Sequence, residues 1–145
     1  MQERWIRVAV LWTVVDLATK AIAAALGDGI PLLEPSTNPE LALGLLGGDD
    51  HPALLIGVFA GLVGVLAHGY VLRRRPSGQL GYGLLVGGVA GNGIDRLVTG
   101  AVHDWLDLGV VIANVADFVL VAGLGWYVVA AWRSADEPNP ARPTT

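Results

Sequence analysis

The stretch that decides the fold runs from Leu80 to Val98 and reads LGYGLLVGGVAGNGIDRLV. It is apolar and long enough to cross a hydrocarbon core about 30 Å thick, which takes about 20 helical residues. Within it, Gly83, Gly87 and Gly91 recur at every fourth position and share one helix face. Because small residues let helix backbones approach closely inside a membrane, the stretch predicts a membrane helix packed tightly against its neighbours.

Three further apolar segments have a similar length and lie approximately over residues 5–26, 53–72 and 114–132. Together the segments predict an all-α membrane protein, a bundle of four transmembrane helices. The whole chain is 53% hydrophobic and 15% charged, against roughly 25% charged residues in a soluble domain. This composition argues against a water-soluble globule. We expect one domain over residues 1–133 and a disordered cytoplasmic tail over 134–145, which is rich in proline and polar residues.

The arginines indicate the orientation of the bundle. They precede the first segment, fill the turn between the second and third, and follow the fourth: Arg4, Arg7, Arg73, Arg74, Arg75, Arg133 and Arg142. The positive-inside rule therefore predicts cytoplasmic termini and two acidic loops outside. The first outer loop, residues 27–52, is too long for a turn and is expected to form a small β-like cradle on the membrane surface, with Ile30, Leu32 and Leu33 as an edge strand.

Ionisable residues inside the apolar segments need partners, because a lone charge at mid-bilayer costs at least ~2.5 kcal/mol. These residues are Asp16, Lys20, Asp95, Arg96 and Asp117. Asp16 and Lys20 are spaced i, i+4 with the acid first, which predicts a helical ion pair with a structural role. Arg96 is expected to satisfy a carboxylate or a backbone carbonyl near the outer end of its helix.

Two amide–acid pairs stand at the outer ends of segments. Asn92 precedes Asp95, and Asn114 precedes Asp117, each by three residues. Since positions i and i+3 share a helix face, each amide can bind its own carboxylate or that of the neighbouring helix. This symmetry favours Asp95 with Asp117 as a reactive pair. Asp104 is also near, just beyond the third segment, and polar contacts that merely join helices remain an alternative.

The pattern resembles the signature of signal peptidase II. The matching blocks follow the order of that family: Asp16-Leu-Ala-Thr-Lys20, Asn38 with Ala42 and Gly44, Gly87-Gly-Val-Ala-Gly-Asn92-Gly-Ile-Asp95-Arg96, Gly100-Ala-Val-His-Asp104-Trp105, and Asn114-Val-Ala-Asp117. The resemblance implies an intramembrane aspartic endopeptidase of the bacterial plasma membrane. Such an enzyme removes signal peptides from diacylglyceryl-modified prolipoproteins, cutting before the lipidated cysteine at the outer membrane–water boundary.

The resemblance also implies roles for individual residues. Asp104 and Asp117 would be the catalytic pair, sharing one proton because two adjacent carboxylates cannot both ionise cheaply. Residues that would position the substrate or the pair are Asn38, Asn92, Arg96 and Asn114, and the structural polar residues would be Asp16, Lys20 and Asp95. Neither a metal nor another cofactor is required, and without cysteine the chain has no thiol chemistry. His103 is expected to be solvated.

Some positions depart from the pattern of the family. Pro39, Glu40 and Leu41 replace a run of small residues with glycine, Ala113 replaces a common phenylalanine, and Phe118 replaces a small hydroxyl residue. One alternative is therefore a diverged homologue that binds lipidated peptides without cutting them. Another is a small proton-linked carrier, which predicts acids spread through the membrane depth. The expected partners are prolipoprotein and membrane lipids around a monomer, and the net charge of −4 argues against nucleic acid.

Overall fold

The computed structural model describes residues 3–27, 30, 32–38 and 52–136. Within this part of the chain, long helices alternate with short strands. The helices are α1 (Arg4–Leu26), α2 (Pro52–Leu72), α3 (Pro76–Thr99) and α4 (Val115–Asp136). The strands are β1 (Leu33–Asn38), β2 (Val102–Asp107) and β3 (Ile112–Ala113).

All the predicted apolar segments are helical, with shifted ends. α3 already begins at Pro76, because proline suits the first helical position, and it ends at Thr99, followed by Gly100, whose φ of 86° gives a left-handed cap. α4 begins after Asn114 and includes residues 134–136, which were predicted to lie in the tail. Residues 137–145 lie outside the described residues.

Length and composition mark two helices in the described ranges as able to cross a membrane, namely α1 and residues 115–133 of α4. Their outer faces are apolar and exposed, as at Val10 (58% exposed) and Val121 (73%). The interior is polar by contrast, since Asp16 and Asn114 are wholly buried. An apolar surface around a polar centre suits a lipid environment rather than water.

The predicted close packing is present where the glycines of α3 meet α1 and α4. A Cβ added to Gly83 would lie 2.7 Å from the carbonyl oxygen of Trp5 in α1. On another face, a Cβ on Gly88 would lie 2.6 Å from Leu120 Cγ in α4. At Gly91 it would lie 2.6 Å from Asp16 Oδ2. α3 is therefore the central helix, and its missing side chains make room for a polar residue from α1.

The strands form an antiparallel sheet in the order β1-β2-β3, with Ser36 opposite Asp104 and Leu106 opposite Ala113. The predicted edge strand at residues 30–33 is wrong in position, since β1 starts at Leu33 after a turn in which Leu32 has a φ of 67°. The cradle also includes the connection between α3 and α4, because a strand needs a partner for its backbone groups. This pairing places Asp104 within β2.

Candidate active site

The start of α4 orients Asp117. Asn114 is the N-cap residue of α4, and the Oδ1 atom of Asn114 accepts a hydrogen bond from the Asp117 N–H at 3.1 Å. The N–H of Asn114 in turn donates to Asp117 Oδ2 at 3.1 Å. These reciprocal bonds form a capping box, which satisfies two backbone donors and holds the Asp117 carboxylate at the N-terminal end of α4.

Asn114 also reaches the second acid. Its Nδ2 donates to Asp104 Oδ1 at 2.6 Å, and both side chains are buried. One asparagine therefore contacts both Asp104 in β2 and Asp117 in α4 and brings the two carboxyl groups to the same site. The connection between the two acids passes through β3, which pairs back onto β2.

Asn92 of α3 completes the surroundings of Asp117. Its Nδ2 donates to Asp117 Oδ1 at 3.0 Å, so each oxygen of this carboxylate accepts an N–H. Of the two pairings that the spacing allowed, the amide of Asn92 thus takes the carboxylate of the neighbouring helix rather than that of Asp95. The spacing of residues within one helix does not determine which of these two carboxylates the amide binds.

Lys20 contacts Asn92 on the side away from Asp117 and also contacts two acids. Its Nζ is 2.8 Å from Asp16 Oδ2, which is the predicted ion pair, and 3.3 Å from Asp95 Oδ2. It also donates to Asn92 Oδ1 at 2.9 Å. Asp16 Oδ1 accepts the N–H of Ala116 at 2.8 Å, which ties α1 to the first turn of α4.

Asp95 has a partner that sequence reasoning missed. The backbone N–H of His103 lies 2.7 Å from Asp95 Oδ2, and its Nδ1 lies 2.8 Å from Oδ1. The expectation of a solvated His103 is therefore wrong, although its side chain keeps 36% exposure. After Gly100 the chain reverses, so that β2 lies over the end of α3 and His103 reaches Asp95. The residues around His103 carry no sequence pattern that predicts this contact.

A cavity of about 90 Å³ opens beside Asp104, between the C-terminal end of α1 and the strands β1 and β2. Its lining consists of Lys20, Ala23, Ala24, Pro35, Ser36, Thr37, His103, Asp104 and Trp105. The indole Nε1 of Trp105 is buried there without a hydrogen-bond partner from the described residues. Asp104 thus borders a space large enough for water and a small group.

The remaining predicted residues lie around this centre. Arg96 is partly buried in the last turn of α3, and its carbonyl accepts the N–H of Gly100. The backbone of Asn38 pairs with Val102 at the end of β1, while Pro39, Glu40 and Leu41 lie outside the described residues. In the part of the chain that the structure describes, no group of three acidic or histidine side chains is arranged to hold a metal.

The chain is similar to known proteins over most of its length. A family model described as signal peptidase (SPase) II matches residues 8–133. A lipoprotein signal peptidase of Cyanothece sp. is 37% identical, with 92% of this chain and 83% of the relative covered. One from Gloeobacter violaceus is 33% identical, with 96% and 82% covered.

Solved structures agree on the fold. A bacterial membrane enzyme determined by the in meso method at 2.3 Å resolution has a TM-score of 0.69 at 23% identity, covering 99% of this chain and 96% of the other. A second bacterial membrane enzyme, at 1.9 Å resolution, has a TM-score of 0.65 at 27% identity, covering 90% and 94%.

Proposed function

This chain belongs to the signal peptidase II family, and from that premise we propose that Asp104 and Asp117 are its catalytic pair. The family consists of aspartic proteases in membranes, and the chain removes signal peptides from prolipoproteins. The proposal concerns which residues perform this hydrolysis and where in the membrane they do so.

The single observation that carries the assignment is that both carboxyl groups contact Asn114. Within the described residues, neither Asp104 nor Asp117 forms a salt bridge. Asp95, which the symmetry of the sequence favoured, is instead paired with Lys20 and His103. A carboxylate held by a cation is a weaker acid–base catalyst than one whose proton is free to move, so Asp95 is assigned to support.

The hydrogen bonds distinguish the two acids. Both oxygens of Asp117 accept N–H bonds, which favours its ionised form as the general base. Asp104 accepts only on Oδ1 among the described residues, which leaves its Oδ2 to polarise the scissile carbonyl in the proposed mechanism. Asp117 takes a proton from water, the water oxygen adds to the carbonyl carbon, and a carboxyl proton then passes to the departing amine.

The proposed setting is the outer surface of the bacterial plasma membrane. The arginine distribution and the exposed apolar faces support four membrane-crossing helices with cytoplasmic termini. The proposal also includes a single domain over residues 1–133 that acts as a monomer. Cleavage then falls before the lipidated cysteine. Each acyl methylene buried in the surrounding lipid contributes about 0.8 kcal/mol and holds the peptide at the depth of the pair.

The test is cleavage of a lipidated precursor by purified protein carrying Asp104→Asn or Asp117→Asn. Each change keeps the shape of the side chain but removes acid–base capacity, so turnover should fall by roughly 10²–10⁴-fold. Asp107→Asn is the matched control, because Asp107 lies in the same strand and its Oδ1 accepts the N–H of Gly109 away from the pair.

The expected result is loss of cleavage in both variants with unchanged thermal unfolding, and full cleavage by the control. Substantial turnover in either folded variant would overturn the assignment. If the unmodified chain binds the lipidated precursor but never cuts it, the chain is a diverged binding homologue instead.

A further inference from the structure

We infer that Lys20 is a positioning residue for Asp117, acting through the side-chain amide of Asn92, an inference that rests on the proposed function. Lys20 lies behind the acids, with Asn92 between its ammonium group and Asp117. The i, i+4 spacing in the sequence alone assigns Lys20 only to the ion pair with Asp16.

The direction of each hydrogen bond follows from the chemistry of the groups. A lysine ammonium donates and never accepts, so the atom of Asn92 that faces it at 2.9 Å is Oδ1. The other end of the amide, Nδ2, must then face Asp117 Oδ1, as it does at 3.0 Å. An amide rotated by half a turn would set a carbonyl oxygen against a carboxylate oxygen. Lys20 prevents that rotation.

The position of Lys20 is itself determined. Its ammonium group forms ion pairs with Asp16 Oδ2 at 2.8 Å and Asp95 Oδ2 at 3.3 Å, and it donates a hydrogen bond to Asn92 Oδ1. The two carboxylates come from α1 and α3 and are both buried. The ammonium group therefore cannot leave Asn92 without abandoning a buried acid, and the orientation of the amide is maintained through catalysis.

A double-mutant cycle on turnover tests this inference. Lys20→Met removes the donors, and Asn92→Ala removes the amide. Each is expected to lower kcat by about 10- to 100-fold, as a misplaced catalytic group does, with a much smaller change in KM. Because Lys20 acts through Asn92, the double variant should be no slower than Asn92→Ala alone. Lys20→Gln, which keeps an N–H donor, should recover part of the kcat lost in Lys20→Met.

Thr13→Val serves as the control for stability. Thr13 joins α1 to α3 by donating to the Gly87 carbonyl at 3.1 Å, away from the acids, so its loss should lower the unfolding temperature and leave kcat unchanged. If Lys20→Met yields no folded protein, Lys20→Gln takes its place in the cycle. The double variant of Lys20→Gln with Asn92→Ala should then be no slower than Asn92→Ala alone.

Losses that multiply in the double variant, or an Asn92→Ala variant with wild-type kcat, would overturn the inference. Asp117→Asn is measured in the same assay. If it retains turnover, the proposed function fails. If it is inactive while the losses multiply, only the role of Lys20 fails.

Discussion

Two clusters of buried acids lie side by side in this molecule and differ in what holds them. In the Lys20 cluster, formed by Asp16, Lys20, Asp95 and His103, the acids face an ammonium group and an imidazole. In the Asn114 cluster, formed by Asp104, Asn114 and Asp117, the acids are held by N–H groups of neutral residues. The contrast shows that burial of an acid does not identify its role. A cation partner stabilises the charge permanently, whereas neutral donors hold the geometry and leave the proton available.

Asn92 joins the two clusters, since its oxygen faces Lys20 and its nitrogen faces Asp117. Apart from substitutions of Lys20, which contacts Asn92 directly, changes in the two clusters should therefore separate stability from turnover. The following predictions use that separation, beginning with the largest change in free energy.

Asp16→Asn should destabilise the fold with little effect on kcat. Asp16 is wholly buried, pairs with Lys20 at 2.8 Å and accepts the Ala116 N–H. Because Asp95 still pairs with Lys20, the expected loss in free energy of unfolding is about 2–3 kcal/mol, below the roughly 3–5 kcal/mol of a wholly unpaired ion. Thermal unfolding in detergent and cleavage of a lipidated precursor measure the two effects. A large drop in kcat at unchanged stability would contradict the assignment of Asp16 to the Lys20 cluster.

Asn114→Ser should show the opposite pattern to Asp16→Asn, with a lower turnover and little change in stability. The serine hydroxyl keeps the helix cap by accepting the Asp117 N–H, but it has no amide to donate to Asp104. Turnover should fall by about 10- to 100-fold as Asp104 loses its orientation, while the unfolding temperature stays near that of the wild type.

Asn114→Ala is the companion variant, because it loses the cap as well. It should match the turnover of Asn114→Ser and lose about 1 kcal/mol more stability. If serine restores full turnover relative to alanine, the cap rather than the contact with Asp104 is what catalysis needs.

His103→Gln should have the smallest effect. The side chain is 36% exposed, and the backbone N–H that binds Asp95 remains in the variant. A partly exposed pair of this kind contributes about 0–1 kcal/mol, which corresponds to at most about a fivefold change in an equilibrium or a rate. Thermal unfolding and precursor cleavage again provide the measurements. A loss of turnover comparable to that of Asn114→Ser would assign His103 to the Asn114 cluster.

Apolar length predicted the helices, because an apolar stretch long enough to cross a membrane has few alternatives to a helix. The glycine repeat predicted close packing, and the i, i+4 spacing predicted the Asp16–Lys20 pair, since both depend on the geometry of one helix. The i, i+3 spacing of Asn114 and Asp117 had a different meaning from the one expected. It marks a helix start, with the two residues capping each other.

Contacts between elements were beyond the reach of the sequence. The residues alone did not decide that Asp104 lies in a strand, that His103 turns back onto Asp95, or that Asn92 serves Asp117 rather than its helical neighbour. Local spacing determines which side chains share a face of one helix, whereas partners on different elements depend on how those elements pack. Here the packing rests on the glycines of α3, which let α1 and α4 approach closely enough to enclose their polar side chains.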